Sequence, residues 1–272
     1  MAIPGVIDFH AHIYPQDLAP KILSATRMSQ RVPVPRTGLA CDLRESMRSS
    51  GIIRSVLLPM AKSPEAAPKY NDWARSVSGD GLLSLGTVYP SMPDLELELD
   101  RIRSSMAPGI KIMPIFQKMY PDDPKCDRLY EALIERDMLI VAHAGREPVD
   151  RSPDYGSPER FAQVVKSYPE LRLVLAHLGG LRMWDDVYRH LLPLMSEKNN
   201  LYFDTSYASF YLTVEEMTDI IKEADPSRIL FGTDYPWAEA GRELDIIGAM
   251  DLSADEKEAI LFGNGSRLLC IP

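Results

Sequence analysis

Four of the five histidines and one aspartate occupy positions where they could share a chemical task. His10 and His12 flank one alanine in IDFHAH, and on an extended strand a spacing of two turns both imidazoles to the same side, where they can grip one cation together. His143 stands in VAHAG, His177 in LAHLGG and Asp234 in FGTDYPW, each just beyond a short apolar run. Imidazole nitrogens and a carboxylate oxygen are the donors that divalent ions of the zinc type take, and a carboxylate can also carry a proton between reacting atoms. Taken singly, each residue has an ordinary structural use: a hydrogen-bonded histidine pair, a polar plug, a turn aspartate before proline. His190, in VYRHLLPL, reads as a helix-surface residue without a role.

These residues lie more than two hundred positions apart, so something must gather them. Eight short apolar runs, residues 6–9, 55–58, 83–88, 110–113, 139–142, 171–176, 201–204 and 229–231, alternate with segments of helical character. Several runs are apolar throughout, as strands buried on both faces must be. Helices are expected near 42–50, 64–78, 94–106, 125–136, 180–196 and 253–262, with Ser157-Pro158-Glu159 opening another and Thr213 to Glu216 forming a capping box. Repeated strand–helix units in 272 residues predict one α/β domain over residues 1–272, a single (β/α)8 TIM barrel. No G-x-G-x-x-G follows the first strand, which disfavours an open doubly wound sheet. In a closed barrel the strand ends converge on one mouth, and His10, His12, His143, His177 and Asp234 would meet there. The proline-rich stretch 31–37 (RVPVPRT) reads as part of the rim of that mouth.

IDFHAH, GIKIMP, VAHAG, LAHLGG and FGTDYPW resemble the strand-end motifs of the amidohydrolase superfamily, and FGNGSRLL resembles its closing helix. AHLGG and FGTDYP are similar to the amidohydrolase-related branch that holds carboxymuconate-semialdehyde and resorcylate decarboxylases and pyrone-dicarboxylate lactonase. The resemblance implies that His10, His12, His143 and Asp234 ligate one divalent ion, most simply Zn2+, with room left for a water and for a second metal in some members. It implies that His177 orients the water or stabilises developing charge, and that Asp234 is the acid–base group. Lys111, in GIKIMP, falls where some members carry a carbamylated lysine between two metals; contact with a substrate carboxylate is the expectation here.

The activity expected first is hydrolysis of a C–O or C–N bond in a small carboxylated compound by metal-activated water. The second is non-oxidative decarboxylation of an aromatic or muconate-type acid, with Asp234 protonating carbon as carbon dioxide leaves. Resorcylate-type decarboxylases often begin with glutamate where this chain has His10, which counts against that subgroup. A metal-binding scaffold without turnover is the third reading. Lys62, Lys111, Arg146 and Arg182 follow strands two, four, five and six, which suggests an anionic substrate, with Arg146 and Arg182 as bidentate candidates. Tyr14, Tyr89, Trp184, Tyr207 and Trp237 lie near the same ends and could wall a pocket.

A net charge of −9 argues against nucleic acid as a partner. Three scattered cysteines, Cys41, Cys126 and Cys270, without a CxxC point away from disulfides and towards a reducing cytoplasm. No leader or membrane span is read in the chain, and a homo-oligomer is left open.

Overall fold

The structure is a computed structural model, and it describes residues 5–105, 107–149, 153–195 and 198–271. It is a (β/α)8 barrel. Parallel strands run β1 Val6–Ala11, β2 Ile52–Leu57, β3 Leu82–Ser84, β4 Gly86–Thr87, β5 Gly109–Ile112, β6 Leu139–Ala142, β7 Leu173–Leu175, β8 Leu201–Asp204 and β9 Ile229–Leu230. All eight expected runs are found. β3 and β4 are two halves of the third barrel strand, interrupted at Leu85, whose amide still donates to Leu57 O at 3.0 Å. The Asn71 side chain stabilises the second half by bonding both the amide (2.8 Å) and the carbonyl (2.9 Å) of Thr87.

Closure is made by the first and last strands. Phe9 N donates to Phe231 O at 2.7 Å, Asp234 N to His10 O at 2.8 Å and His12 N to Tyr235 O at 2.6 Å. These bonds lock the HxH segment against the Asp234 loop, so both motifs are fixed by backbone pairing. β6 shows why strands here read as continuous apolar runs: Leu139 and Val141 join one buried cluster, while Ile140 and Ala142 join another that packs against the helices. The next residue on the Leu139–Val141 side is His143, at the mouth.

Most expected helices are present. Asp127–Glu135, Pro158–Ser167 and Val214–Ala224 are amphipathic, and the last begins with the capping box between Thr213 and Glu216. Ser157 takes the N-cap position with Pro158 after it, but its side chain makes no capping bond. The helix expected over 180–196 begins only at Trp184 and passes through a wide turn, Val187–Leu191, before a tight one, Leu192–Leu194. Pro193 has no N–H to give the turn before it, which breaks the regular ladder there. Among the described residues, three helices were not expected: Ala19–Gln30, in the long connection after β1, the single turn Pro114–Gln117, and Ala240–Ala249. No helix among the described residues is long and apolar enough to cross a membrane.

Candidate metal centre and substrate cavity

Each histidine at the mouth has its tautomer set by what its Nδ1 meets. His10 Nδ1–H donates to Asp204 Oδ2 at 2.8 Å, His12 Nδ1–H to the carbonyl of Leu58 at 2.9 Å, and His177 Nδ1–H to the carbonyl of Ser206 at 2.8 Å. His177 Nε2 is thereby an acceptor and takes a hydrogen bond from His143 Nδ1 at 3.0 Å. Every Nε2 of His10, His12 and His143 is left as a bare lone pair. The lone pairs of His10 and His12 face each other across 3.2 Å, and Asp234 Oδ1 lies 3.5 Å from the first and 3.3 Å from the second. Three acceptors aimed at one point repel unless a cation lies between them, and carboxylate-oriented imidazole is a common way of building a metal ligand. The donor set therefore fits a divalent ion.

Among the described residues, His10, His12 and Asp234 are the group close enough to hold a metal; all three are buried. His143 is outside that group, bonded to His177, and its Nε2 is buried without a hydrogen-bond partner, 3.5 Å from Glu147 Oε1. Its free lone pair is suited to ligation. The electrostatics favour the ligand forms. Burial lowers the pKa of His10 to about 4 even though Asp204 works against it. Burial holds His143 well below the usual histidine range. For Asp234, burial alone favours the neutral acid, and positive charge beside it, on His10 or His12, would more than offset that, the effect a bound cation would have on the same carboxylate. Asp234 and His177 have φ of 63° and 61°. Non-glycine residues in this left-handed region cost energy and concentrate at functional sites.

Asp204, at the end of β8, is the residue that sequence reasoning passed over. It is fully buried, with Oδ2 bound to His10. Its Oδ1 accepts from the amides of His177 (3.0 Å) and Ser206 (3.1 Å) and from the Ser206 hydroxyl (2.5 Å). Burial would raise its pKa; His10 and the bond to it outweigh that and hold it ionised. The signal available in the sequence was its place at a strand end, in LYFDTS, like that of Asp234.

Above the metal group opens a cavity of about 690 Å³, within the range of small-molecule sites. Tyr14, Tyr89, Tyr207 and Trp237 wall it, joined by Tyr70 and Phe116. Trp184 is not part of the wall; its indole N–H donates to His177 O at 3.2 Å. The cationic ring divides. Lys111 lines the cavity and is 1% exposed, with burial lowering its pKa to about 8, and Lys62 is at the rim. Arg146 and Arg182 are outside the lining. Arg146 makes a bidentate pair with Asp154, both contacts 2.5 Å, and Arg182 Nη1 donates to the carbonyls of Glu147 and Pro148. Arg146 is held by an acceptor on its own loop and Arg182 by carbonyls of the loop after β6, so neither side chain lines the cavity. The side of the cavity facing the connection after β1 is formed from Leu18 to Gln30 and Val32, so of the stretch 31–37 only Val32 reaches it.

Two histidines at the end of the first strand and an aspartate after the last, close enough together to hold one metal at the mouth of a (β/α)8 barrel, are a site of the metal-dependent kind. The chain belongs to the amidohydrolase family, whose profile matches residues 7–271. Among curated proteins no relative matches it by overall sequence. Solved structures of similar fold include an uncharacterized TIM-barrel protein from Bordetella bronchiseptica, 19% identical over 98% of each chain, TM-score 0.77. A 2,6-dihydroxybenzoate decarboxylase from Rhizobium is 19% identical, covering 98% of this chain and 99% of its own, TM-score 0.74. A 5-carboxyvanillate decarboxylase from Novosphingobium aromaticivorans, complexed with manganese and 4-hydroxy-3-methoxy-5-nitrobenzoic acid, is 17% identical over 97% and 96%, TM-score 0.73. At these identities the likeness establishes the fold.

Proposed function

We propose that this protein is a metal-dependent non-oxidative decarboxylase of a small hydroxylated aromatic acid. Decarboxylation, the second reading of the sequence, is placed ahead of hydrolysis because decarboxylases of such acids recur among the structures of similar fold. The observation that carries the proposal is the metal-ligand group at the floor of a cavity with aromatic walls and one deeply buried cation, Lys111. His10, His12 and Asp234 would hold the ion, with His143 as the fourth ligand; a second ion is not needed. A histidine-rich set suits zinc, and manganese is the ion in the Novosphingobium enzyme.

When bound, the ion supplies a Lewis acid that stabilises negative charge on substrate oxygens. Lys111 pairs with the substrate's anionic oxygens. Asp234, ionised in the resting site, takes the proton of a ring hydroxyl and then returns it to the ring carbon that bears the carboxylate. The new C–H bond uses a ring electron pair. Breaking the C–C bond gives that pair back to the ring as carbon dioxide departs, leaving a phenolate that takes one proton from solvent to become the phenol, so protons and electrons balance. His177 holds His143 through Nε2 and is itself held by Ser206 O. Arg146 and Arg182 would act on substrate only after leaving their present partners.

The deciding experiment loads the protein with Mn2+ or Zn2+ and measures carbon dioxide release from ortho-hydroxy aromatic acids beside acid release from lactones and esters. Carbon dioxide with equimolar phenol is expected. Acid release from a lactone, with no carbon dioxide from any aromatic acid, would restore the hydrolytic reading.

A further inference from the structure

Buried tyrosines normally place their hydroxyl against a partner, and most in this protein do. Tyr130 donates to Pro121 O, Tyr235 bonds Leu39 O and Asp42, and Tyr89, on the cavity wall, donates to Ala61 O at 2.8 Å. Three other tyrosines of the same wall differ. Tyr14 (7% exposed) and Tyr207 (5% exposed) are buried and Tyr70 is half-buried, and their hydroxyls bond nothing among the described residues.

Their rings are nevertheless fixed. Tyr14 follows β1 and its amide donates to Gly38 O at 2.9 Å, Tyr70 lies against Trp73 with ring centres 5.1 Å apart, and Tyr207 stacks on Phe210 at 4.4 Å. The three hydroxyls also share a neighbourhood. Tyr14, Tyr70 and Tyr207 line one cavity together with His10, His12 and Asp234.

We infer that Tyr14, Tyr70 and Tyr207 form a specificity subsite whose hydroxyls hydrogen-bond the oxygen substituents of the substrate ring, above the metal-ligand group. The inference rests on the aromatic-acid reading and assigns the recognition of ring oxygens to these three side chains. A cavity with apolar walls cannot strongly separate a hydroxylated ring from a bare one. Donors left unpaired by the wrong ligand can, because a desolvated polar group without a partner is costly.

The test is calorimetric binding of two probes, 2,6-dihydroxybenzoate and benzoate, to Mn2+-loaded protein, so that turnover does not enter the readout. Tyr14→Phe, Tyr70→Phe and Tyr207→Phe are compared with wild type and with Tyr89→Phe, whose hydroxyl already has a protein partner; thermal melts check folding. Each of the three variants should weaken the dihydroxy acid about 10-fold and leave benzoate unchanged, as loss of one hydrogen bond implies. Tyr89→Phe should shift both acids by a common factor. If the three variants keep the wild-type preference, or lose both acids equally, the subsite is refuted while the aromatic-acid reading stands. If wild type binds neither acid, the aromatic-acid reading fails and the subsite falls with it.

Discussion

Asp204→Asn changes one buried oxygen to nitrogen, and the structure says which bond must fail. Asp204 Oδ1 accepts from three donors, the His177 and Ser206 amides and the Ser206 hydroxyl, so the asparagine oxygen is held on that side. Its NH2 then faces His10 Nδ1, which in the native protein is itself a donor. To accept from the amide, His10 would move its proton to Nε2, which then cannot ligate; a proton kept on Nδ1 has only the Ser206 hydroxyl oxygen, 2.9 Å away, to receive it. Binding a metal would force two donors together. A hydrogen bond to a charged group contributes about 1.5–3 kcal/mol, and losing an outer partner of a metal-bound histidine typically costs 10- to 100-fold in affinity or activity. The second range is about 1.4–2.8 kcal/mol at 1.4 kcal/mol per tenfold, so the two estimates agree. Chelator-competition titration with Zn2+ and Mn2+ should therefore show affinity reduced 10- to 100-fold. His10→Ala serves as the reference for complete loss of that ligand. Affinity in Asp204→Asn within threefold of wild type, with His10→Ala clearly impaired, would refute the argument that Asp204 fixes the His10 tautomer.

Asp234→Asn should retain part of the metal through its amide oxygen and lose 10²- to 10⁴-fold in kcat, since an amide cannot carry the proton; metal analysis beside kinetics checks this. His177→Asn should keep His10, His12 and Asp234 in place and lower kcat less. Lys111 titrates near pH 8 in the fold through burial against 10.5 when unfolded. Between those values the unfolded chain binds more protons, so metal-free stability rises with pH by up to about 3 kcal/mol. Lys111→Met should remove that rise and raise stability below pH 8; urea melts from pH 7 to 10 with unchanged slope would contradict it. Gly145→Ala should cost more than about 4 kcal/mol or prevent folding, because at φ 94° a Cβ would lie 2.2 Å from Leu181 N. Gly241→Ala, in a helix with open space around it, should stabilise by about 0.5–1 kcal/mol, as thermal melts would show.

The barrel was legible because its strands are buried on both sides, which leaves an apolar run instead of an alternation. The helix Ala19–Gln30 was not, since only Ala19 and Leu23 of it are buried and Ile22 faces the cavity, so no periodic stripe marks it. His10, His12 and Asp234 were legible because backbone pairing across the closed barrel, His12 N to Tyr235 O and Asp234 N to His10 O, leaves little freedom in where they meet. Arg146 and Arg182 show the limit of the same reasoning. Nearness to a strand end places a Cα at the mouth, but a long side chain goes to the best acceptor within reach, and Asp154 is only eight residues from Arg146.

Asp204 marks a different limit: its role is fixed by a partner 194 positions away, and a lone aspartate after a strand carries no trace of that. Yet the charge pattern of the finished site explains why it is there. Burial drives His10, His143 and His177 towards the neutral form, while Asp204 and Asp234 stay ionised beside the buried cation Lys111. Uncompensated buried negative charge is costly unless paired or bound to metal. The histidines, kept neutral by burial, do not supply the missing positive charge, and the Nε2 lone pairs of His10 and His12 face each other. A divalent cation at that point satisfies the lone pairs and the carboxylates together. The same excess of acceptors that would repel without it is then the source of its affinity.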